Sequence, residues 1–312
     1  MLKYTIRRIL ISLVTIFVLI TITFFLLKLI PDGLFNDPRL SSEARANLRR
    51  LYGLDKPLME QYVIYIKNLL RLDLGESISY PGRKITTMIW DPNSGNGLPQ
   101  SMRLGLNALL LSIVGGILLG AVAGLKRGKA LDKAAIGIAL LGVSIPSFVL
   151  CTLLVTLFGS LLHWLPSTGY SSFKEMILPT FCLALSPIAG ISRIMRTSMV
   201  ELEGAEFIKT AYSKGIVPFR IVVFHQIRNA LLPVLTILGP IAASLLTGTF
   251  VVEAVFNIKG LGGYFVESIS QRDYGLVMGL TVLFGTFLIL ANLAVDLLYG
   301  FVDPRIRLGK LS

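Results

Sequence analysis

Charge is scarce in this sequence. Only 15% of the 312 residues are Asp, Glu, Lys or Arg, whereas 54% are hydrophobic, and the mean hydropathy is +0.72. A soluble domain carries more charge on its surface than this. The net charge of +12 does not indicate a nucleic-acid partner, because the basic residues stand in short segments between apolar runs. The composition therefore predicts an integral membrane protein in contact with lipid.

The signatures of a self-sufficient enzyme are also missing. There is no G-x-x-x-x-G-K-[ST] phosphate loop, since the nearest string, Gly124–Ala130, has the wrong spacing and no final hydroxyl residue. The two histidines, His163 and His225, stand at span ends, where an interfacial role is favoured over metal ligation. Cys151 and Cys182 lie within apolar stretches and are predicted to be buried packing residues. We expect no catalytic residue, metal site or cofactor in this chain.

Ionisable residues are nearly absent from the apolar runs. An ion-coupled carrier needs such residues inside the bilayer to bind its proton or sodium ion. Asp296 is the exception, a few residues from the end of the last run. Both a helix-packing or interfacial role and a proton relay remain open for Asp296. The scarcity indicates that the driving energy comes from another subunit.

Six apolar runs are long enough to cross a bilayer, which takes about 20 helical residues. The first run is longer than the apolar region of a signal peptide, so an uncleaved helix is favoured over a cleaved signal. The third run predicts a tilt or a kink at Pro146, and the fourth contains Pro179 and Pro187. The predicted spans are about Ile9–Ile30, Leu104–Leu125, Ala134–Leu162, Leu178–Ile194, Ala230–Val252 and Leu276–Tyr299.

The distribution of basic residues predicts that both termini are cytoplasmic. With the N-terminus inside, the short outer loops contain three basic residues, Lys174, Lys259 and Arg272. Sixteen fall on the inner side, as the positive-inside rule requires. These are Lys3, Arg7, Arg8, Lys126, Arg127, Lys129, Lys133, Arg193, Arg196, Lys209, Lys214, Arg220, Arg228, Arg305, Arg307 and Lys310. We expect a multi-pass protein of the cell (cytoplasmic or inner) membrane.

The long outer loop, residues 31–100, is the one sizeable polar region. Ser42–Gly53 is predicted to form a short capped helix. A second helix is predicted to start at Asp55 and Pro57, with Leu58, Tyr62, Ile66 and Leu69 at helical spacing, and to end near Asp73–Gly75. Asp91–Pro99 is predicted to be irregular. Two interpretations stay open: a helical cap packed on the outer face, or a docking surface for an extracytoplasmic partner.

The longest cytoplasmic loop, about Arg196–Asn229, predicts two short helices. The first spans about Ala205–Lys214, with acidic residues early and lysines late, as the helix dipole favours. Gly215 is suited to a left-handed stop, and Pro218 to the start of the second helix. Such a pair forms a rigid protrusion that can press on a cytoplasmic partner. A helix lying on the lipid surface is the alternative.

Several strings of residues, in order along nearly the whole chain, carry a family resemblance. They resemble the permease subunits of binding-protein-dependent ABC importers, in particular the first permease of the oligopeptide, dipeptide and nickel group. The strings are Tyr52–Leu58, Gln61–Tyr62, Asp73–Ser77, Arg193–Met199, Glu206–Gly215, Arg228–Pro233, Val252–Phe256, Gly260–Gly262, Arg272–Tyr274 and Asp303–Arg307. The loop Arg196–Asn229 resembles the coupling loop of these permeases. It departs from the general importer pattern, because Lys209–Ala211 stand where that pattern has Glu-Ala-Ala.

The resemblance implies an all-α, type I ABC importer permease fold with a helical extracytoplasmic insertion. It divides the chain into residues 1–30 (N-tail and first span), 31–100 (outer loop), 101–300 (five-helix core with a coupling loop at 196–229) and 301–312 (tail). It also implies a second homologous permease, two cytoplasmic ATPases that bind ATP and Mg, an extracytoplasmic substrate-binding protein and a peptide substrate. The implied ATPase-coupling residues are Ala205, Glu206, Lys209, Thr210, Ala211, Lys214 and Gly215.

Small or polar residues within the spans are candidates for lining a translocation path. They are Ser144, Pro146, Ser147, Thr247, Thr249 and Asn292, although small and hydroxyl residues also serve helix packing. Glu253, at the outer end of the fifth span, is predicted either to meet a peptide amino group or to cap a gate. Importers of nickel, glutathione or other small solutes have similar permeases. A secondary carrier and a structural scaffold are alternatives from other classes.

Overall fold

The computed structural model is built of α-helices with short π-helical stretches, and the part of the chain that it describes contains isolated β-bridges but no strand. It describes residues 2–29, 43, 47, 50, 53, 55–91, 96–246 and 250–302. The predicted helix at Ser42–Gly53 and the terminal motif Asp303–Arg307 therefore lie largely or wholly outside the described residues. Thr247 and Thr249 lie outside them as well.

Thirteen helices are numbered here in chain order within the described residues. They are α1 (Leu2–Lys28), α2 (Leu58–Leu70), α3 (Ile85–Ile89), α4 (Leu98–Leu125), α5 (Ala130–Ser144), α6 (Ser147–Leu154), α7 (Phe173–Glu203), α8 (Glu206–Ser213), α9 (Pro218–Ile221), α10 (Arg228–Leu246), α11 (Phe250–Val255), α12 (Leu261–Ser270) and α13 (Tyr274–Val302). Two π-helical stretches, Val155–Leu161 and Val222–Ile227, continue α6 and α9.

The spans agree with the prediction of about six crossings. Within the described residues, five stretches are long and apolar enough to cross a membrane, and a bent pair of helices makes a sixth. The bent pair is Ala130–Gly142 with Ser147–Leu161, at an angle of 105°. Pro146 lies at the break, directly before α6, because proline cannot continue the hydrogen-bond ladder of α5. The predicted kink at Pro146 is confirmed.

The fourth span is longer than predicted. The expected range was Leu178–Ile194, whereas α7 runs over 31 residues, from Phe173 to Glu203. Ser172 and Glu175 start it with a capping box. The internal prolines do not end the helix, since the rest of the backbone ladder continues past them, as transmembrane helices permit.

Helix α4 packs along α7 through glycines spaced four residues apart. A Cβ added to Gly120 would lie 2.6 Å from Cβ of Met195, and one added to Gly124 would lie 2.6 Å from Cβ of Met199. Gly116 makes the same kind of contact one turn earlier. The two helix backbones can approach this closely only because these positions have no side chain. The α4–α7 pair forms the centre of the bundle.

The two cysteines belong to the core beside this pair. Cys151 of α6 and Cys182 of α7 are buried free thiols in one apolar cluster with Leu104, Val252 and Phe256. They are packing residues, as predicted.

The last span packs against the first span and the fifth span. Helix α13 packs against α1 and α10. Arg8 of α1 lies 2.7 Å from a carboxylate oxygen of Asp296, and each side chain is about one-third exposed (37% and 34%). Asn292 lies against α10, because a Cβ on Gly239 would be 2.7 Å from its side-chain oxygen. Asp296 thus takes part in an interhelical ion pair.

The described part of the outer insertion is packed on the spans. Helix α2 starts after Pro57 and ends at Leu70, three residues before the predicted end. Its Tyr62 hydroxyl shares a hydrogen bond of 2.7 Å with the Thr21 hydroxyl of α1. The short helix α3, which the sequence did not predict, buries Ile85 against the first turns of α13. This arrangement favours the helical-cap interpretation of this region.

Candidate functional site

The two short helices predicted between the fourth and fifth spans are present as α8 and α9. Ala205 stands at the N-cap of α8 with extended backbone angles, and the helix ends at Ser213, so the predicted range Ala205–Lys214 is confirmed with its two cap residues. Beneath α8, Ile208, Ala211 and Ile221 are 3%, 5% and 0% exposed and form a separate apolar cluster. This small core packs α8 against α9, so the pair forms a folded protrusion rather than a flexible loop.

The sequence-predicted coupling residues divide between the two faces of α8. Glu206, Lys209, Thr210 and Lys214 are exposed, whereas Ala211 is buried. Ala205 and Ile216 pack at the edge of the apolar cluster. All seven predicted residues therefore fall on one compact protrusion, with the polar ones turned outward.

Gly215 reverses the chain between α8 and α9. Its φ is +72°, a left-handed conformation that L-residues with a side chain adopt at a cost. Its N–H donates to the Tyr212 carbonyl at 2.9 Å, and the next N–H, of Ile216, donates to the Ala211 carbonyl at 3.3 Å. Helix α9 then begins at Pro218. The left-handed stop and the proline start are both confirmed.

A buried hydrogen bond anchors the protrusion to the bundle. Gln226, in the π-helical stretch after α9, donates from Nε2 to the Met199 carbonyl of α7 at 2.8 Å. The side chain is buried. Sequence reasoning missed this residue, although an amide directly after His225, between the apolar residues Val222–Phe224 and Ile227, is the signal that marks it. The bond ties the returning chain to the end of α7.

Exposed aromatic side chains lie on α8 and on the chain that follows it. Phe207, Tyr212, Phe219 and Phe224 are 43%, 53%, 78% and 61% exposed. A group of large apolar side chains at a surface indicates an interaction site, and aromatic residues are the usual anchors of protein interfaces. The sequence analysis did not single these residues out. We call these four residues the aromatic rim: Phe207 and Tyr212 lie on α8, whereas Phe219 and Phe224 belong to the stretch Pro218–Val255, which is long and apolar enough to cross a membrane.

A second anchor lies on the same side of the bundle. Arg196 of α7 makes a bidentate ion pair with Asp132 of α5, with distances of 2.6 and 2.8 Å. Asp132 is buried and also accepts from the Gly128 N–H at 2.8 Å. Such paired, hydrogen-bonded geometry is the strong form of an ion pair. It fixes the start of the broken span against α7.

On the opposite side of the bundle, Glu253 is buried in a hydrogen-bond network. Its carboxylate accepts from the Ser101 hydroxyl at 2.7 Å and from the Gly262 N–H at 2.8 Å, and only 1% of the residue is exposed. The Ser101 oxygen in turn accepts from the Leu261 N–H at 2.8 Å. Gly260 lies so close that a Cβ would be 2.5 Å from the carboxyl carbon. The network joins α4, α11 and α12.

Glu253→Ala is expected to destabilise the protein by about 1–3 kcal/mol, because it leaves the Gly262 N–H and the Ser101 hydroxyl without their acceptor. Glu253→Gln keeps one acceptor oxygen and should cost less. Thermal unfolding of the purified protein in detergent measures both. Glu201→Ala, at an exposed position on α7, is the control and should have little effect. Equal melting temperatures for Glu253→Ala and Glu201→Ala would contradict the assigned role.

A second buried carboxylate, that of Asp273, joins two segments that carry the family resemblance, Asp73–Ser77 and Arg272–Tyr274. Asp273, from Arg272–Tyr274, accepts from the Ser77 hydroxyl, from the Ser79 N–H at 3.1 Å and from the Leu276 N–H at 3.0 Å. Ser77 ends the string Asp73–Ser77. The outer insertion is thereby tied to the first turn of α13, which no local sequence signal predicts.

A neighbouring contact tightens the same outer surface. The Tyr80 hydroxyl donates to Oε1 of Glu267 at 2.5 Å. This hydrogen bond, with burial as a smaller cause, raises the pKa of Tyr80. The hydroxyl therefore keeps its proton at neutral pH and donates it to Glu267. This hydrogen bond joins the outer insertion to α12.

The candidate path residues are spread over the bundle. Ser144 and Pro146 are exposed at the break of the third span. Helix α6, which follows the break, packs against α11, where Glu253 is buried. Asn292 packs against Gly239 on α10. Thr247 lies outside the described residues. Their role in a path stays a prediction.

Comparison with known proteins places this geometry in a family. The family described as "Binding-protein-dependent transport system inner membrane component" matches residues 116–308, and its N-terminal counterpart matches residues 1–79. The chain is 45% identical over 311 residues to the dipeptide transport system permease protein DppB of Bacillus subtilis, with 99% of each chain covered. It is 41% identical over 310 residues to the oligopeptide transport system permease protein OppB of Haemophilus influenzae, with 98% of this chain and all of that one covered.

A solved structure shares the fold. The inward-facing MetNI methionine ABC transporter contains a chain that matches with a TM-score of 0.53 and 18% identity, over 66% of this chain and 94% of that one. The expected type I permease fold is confirmed. The chain belongs to the family of inner membrane components of binding-protein-dependent transport systems.

Proposed function

We propose that this chain is a permease subunit of an ABC importer that takes up peptides, and that it forms one half of the translocation path beside a second homologous permease. The observation that carries the proposal is the full-length similarity, at 45% and 41% identity, to permeases named for dipeptide and oligopeptide transport. The rigid protrusion at α8, in a chain without a phosphate-binding loop, supports a division of labour with separate ATPases.

Two cytoplasmic ATPases that bind ATP and Mg drive the cycle in this proposal. The exposed aromatic rim and the outward polar face of α8 suit a cleft on such a partner. The proposed coupling residues are Ala205, Glu206, Lys209, Thr210, Ala211, Lys214 and Gly215, of which Ala211 is buried beneath α8. This chain itself supplies no catalytic group and holds no cofactor.

The packing of the protrusion suggests how movement passes to the spans. Helix α8 is seated on Ile221, and the hydrogen bond from Gln226 to Met199 ties the returning chain to α7. Because these contacts are buried, a force on α8 moves the ends of α7 and α10 rather than bending the loop. Closure of the ATPases then reorients the permease pair between inward-facing and outward-facing states. A substrate-binding protein delivers the peptide to the outer face.

The substrate class is tested by competition. Proteoliposomes that contain the complete transporter and its binding protein should accumulate a labelled peptide on addition of ATP. Unlabelled di- to hexapeptides should compete, whereas nickel salts and glutathione should not. Competition by nickel or glutathione alone would replace the peptide assignment with one of the same-class alternatives.

The ion pair at Asp296 separates the proposal from a secondary carrier. Asp296→Asn should leave ATP-driven uptake within about twofold of the wild type, because the asparagine keeps a side-chain oxygen that can accept a hydrogen bond from Arg8. Arg8→Gln removes the other partner and should behave alike. The ion-coupled carrier would be favoured by two results together: uptake is lost in Asp296→Asn but not in Arg8→Gln, and a proton gradient drives uptake in the wild type.

A further inference from the structure

Helix α2 has two apolar faces. An α-helix completes a turn in about 3.6 residues, so residues three or four apart share a face. The first face meets the bundle, since the rings of Tyr62 and Tyr65 have their centroids 5.3 and 5.7 Å from that of Phe24 on α1. The second face, which we call the apolar stripe of α2, consists of residues at spacings of four, three and four, namely Met59, Val63, Ile66 and Leu70.

The apolar stripe is open to the surroundings of the protein. Met59, Val63 and Leu70 are 62%, 45% and 81% exposed, and Ile66 is partly buried. Leu72, which follows the end of α2, is 82% exposed. Large apolar side chains grouped in this way at a surface mark an interaction site.

The remaining side of α2 is polar. It occupies the half of the helix that faces away from both apolar faces. Its residues are Glu60, Gln61, Lys67 and Asn68, with Ile64 as the apolar residue among them. Glu60 and Lys67 are exposed. A helix that is divided into an apolar and a polar half has the pattern of helices that lie in the interface of a membrane.

The depth of α2 follows from its contacts along α1. The Tyr62 hydroxyl shares a hydrogen bond of 2.7 Å with the Thr21 hydroxyl. Gln61 accepts a hydrogen bond of 2.6 Å from the Lys28 ammonium. Thr21 lies seven residues before Lys28, which is about 10 Å along the helix axis. Both belong to the span Thr5–Lys28, so α2 lies beside its final third, where the hydrocarbon meets the polar interface.

Exposed residues of α1 at this level indicate what surrounds α2. Ile22 and Leu26 lie between the two contacts and are 52% and 57% exposed. They belong to the membrane-crossing stretch of α1, so the medium beside them is hydrocarbon. The apolar stripe of α2 lies beside the same stretch, and acyl chains can cover it without a further protein. Contact with lipid removes the stripe from water, which is favourable for apolar surface.

We propose that α2 is an interfacial helix, which inserts its apolar stripe among the acyl chains of the leaflet at this end of α1. Its polar half stays at the level of the headgroups and water. The partner of this surface is the lipid bilayer itself, rather than an extracytoplasmic protein. The inference needs only the membrane span of α1, and it is independent of the transported substrate and of the coupling site.

Photo-cross-linking of the complete transporter tests this proposal. The photoreactive amino acid p-benzoylphenylalanine replaces Met59, Leu70 or Glu60, one position at a time. The transporter is placed in vesicles of phosphatidylethanolamine and phosphatidylglycerol together with its binding protein. On illumination, the probes at Met59 and Leu70 should form adducts with phospholipid, which mass spectrometry identifies. Glu60 is the matched control, because it is exposed and next to Met59 in sequence but about 100° away around the helix.

The yield at each position decides the outcome. At Glu60 the lipid adducts should be lost, down to the level found without illumination. Melting of each complex near the wild-type temperature shows that it still folds. Adducts of Met59 and Leu70 with the binding protein or another subunit in place of lipid would overturn the proposal. Equal yields of lipid adducts at Met59 and Glu60, or no lipid adducts at Met59 and Leu70, would overturn it as well.

Discussion

Gly215→Pro is expected to abolish ATP-driven uptake while the chain still inserts into the membrane. The native φ of +72° is inaccessible to proline, whose ring holds φ near −65°, and proline also lacks the N–H that donates to Tyr212. The local cost is about 3 kcal/mol or more. The reversal between α8 and α9 is then lost, so the cluster of Ile208, Ala211 and Ile221 cannot hold α8 in place.

Uptake and ATP hydrolysis in proteoliposomes measure this effect separately. We expect uptake to fall by more than about tenfold, in line with a cost of several kcal/mol, while ATP hydrolysis continues without driving transport. Continued uptake at the wild-type rate would show that the coupling site lies elsewhere.

Gly204→Ala and Gly215→Ala form a matched pair of controls for this result. A Cβ at either position meets nothing within 4 Å, so neither substitution introduces a clash. Gly204 has φ of −86°, an ordinary value for alanine, whereas Gly215 is left-handed. Gly215→Ala should therefore cost about 1–2 kcal/mol, and Gly204→Ala close to nothing. Identical transport defects in the two variants would exclude backbone conformation as the cause.

Gly120→Ala should lower the stability of the whole bundle. The added Cβ would lie 2.5 Å from the Ser192 carbonyl oxygen and 2.6 Å from Cβ of Met195. Neither atom belongs to a flexible side-chain end, so α4 and α7 must move apart. Overpacking of this kind costs about 1–3 kcal/mol, and here it weakens the central helix pair. The melting temperature and the amount of folded protein in the membrane are the measurements.

Gly190→Ala on α7 is the control for Gly120→Ala. A Cβ there meets nothing within 4 Å. The substitution should be neutral or slightly stabilising, because alanine favours a helix over glycine by roughly 0.5–1 kcal/mol. The two variants carry the same chemical change, so opposite signs of their effects isolate the α4–α7 contact. A similar loss of stability in both would point instead to a general intolerance of alanine in these spans.

The parts of the fold that were predictable depend on neighbours in sequence. The break at Pro146 follows from a missing N–H, and the bounds of α8 follow from the residues at its own ends. The prediction was less accurate for α7, since internal prolines do not end a helix whose remaining ladder is intact. It missed α3, because five residues are too few for a periodic pattern.

The proposed coupling site was predictable only in outline. Its helix, its glycine stop and its polar residues were named from sequence. Its anchor was not, since the hydrogen bond from Gln226 to Met199 joins residues 27 positions apart. The aromatic rim was missed as well, because exposure of Phe219 depends on which face of α9 the bundle covers.

The sequence by itself determined that this chain is a membrane bundle with two short helices joined at Gly215 between its fourth and fifth spans. The apolar runs favour the bilayer because their side chains are more stable there than in water. Pro146 and Gly215 act through the local geometry of the backbone. None of these effects depends on a residue far away in the sequence. The tertiary structure alone decided that Ser101 meets Glu253 across 152 residues and that Ser77 meets Asp273 across 196. A buried carboxylate must find donors, but which donors it finds depends on how the helices pack.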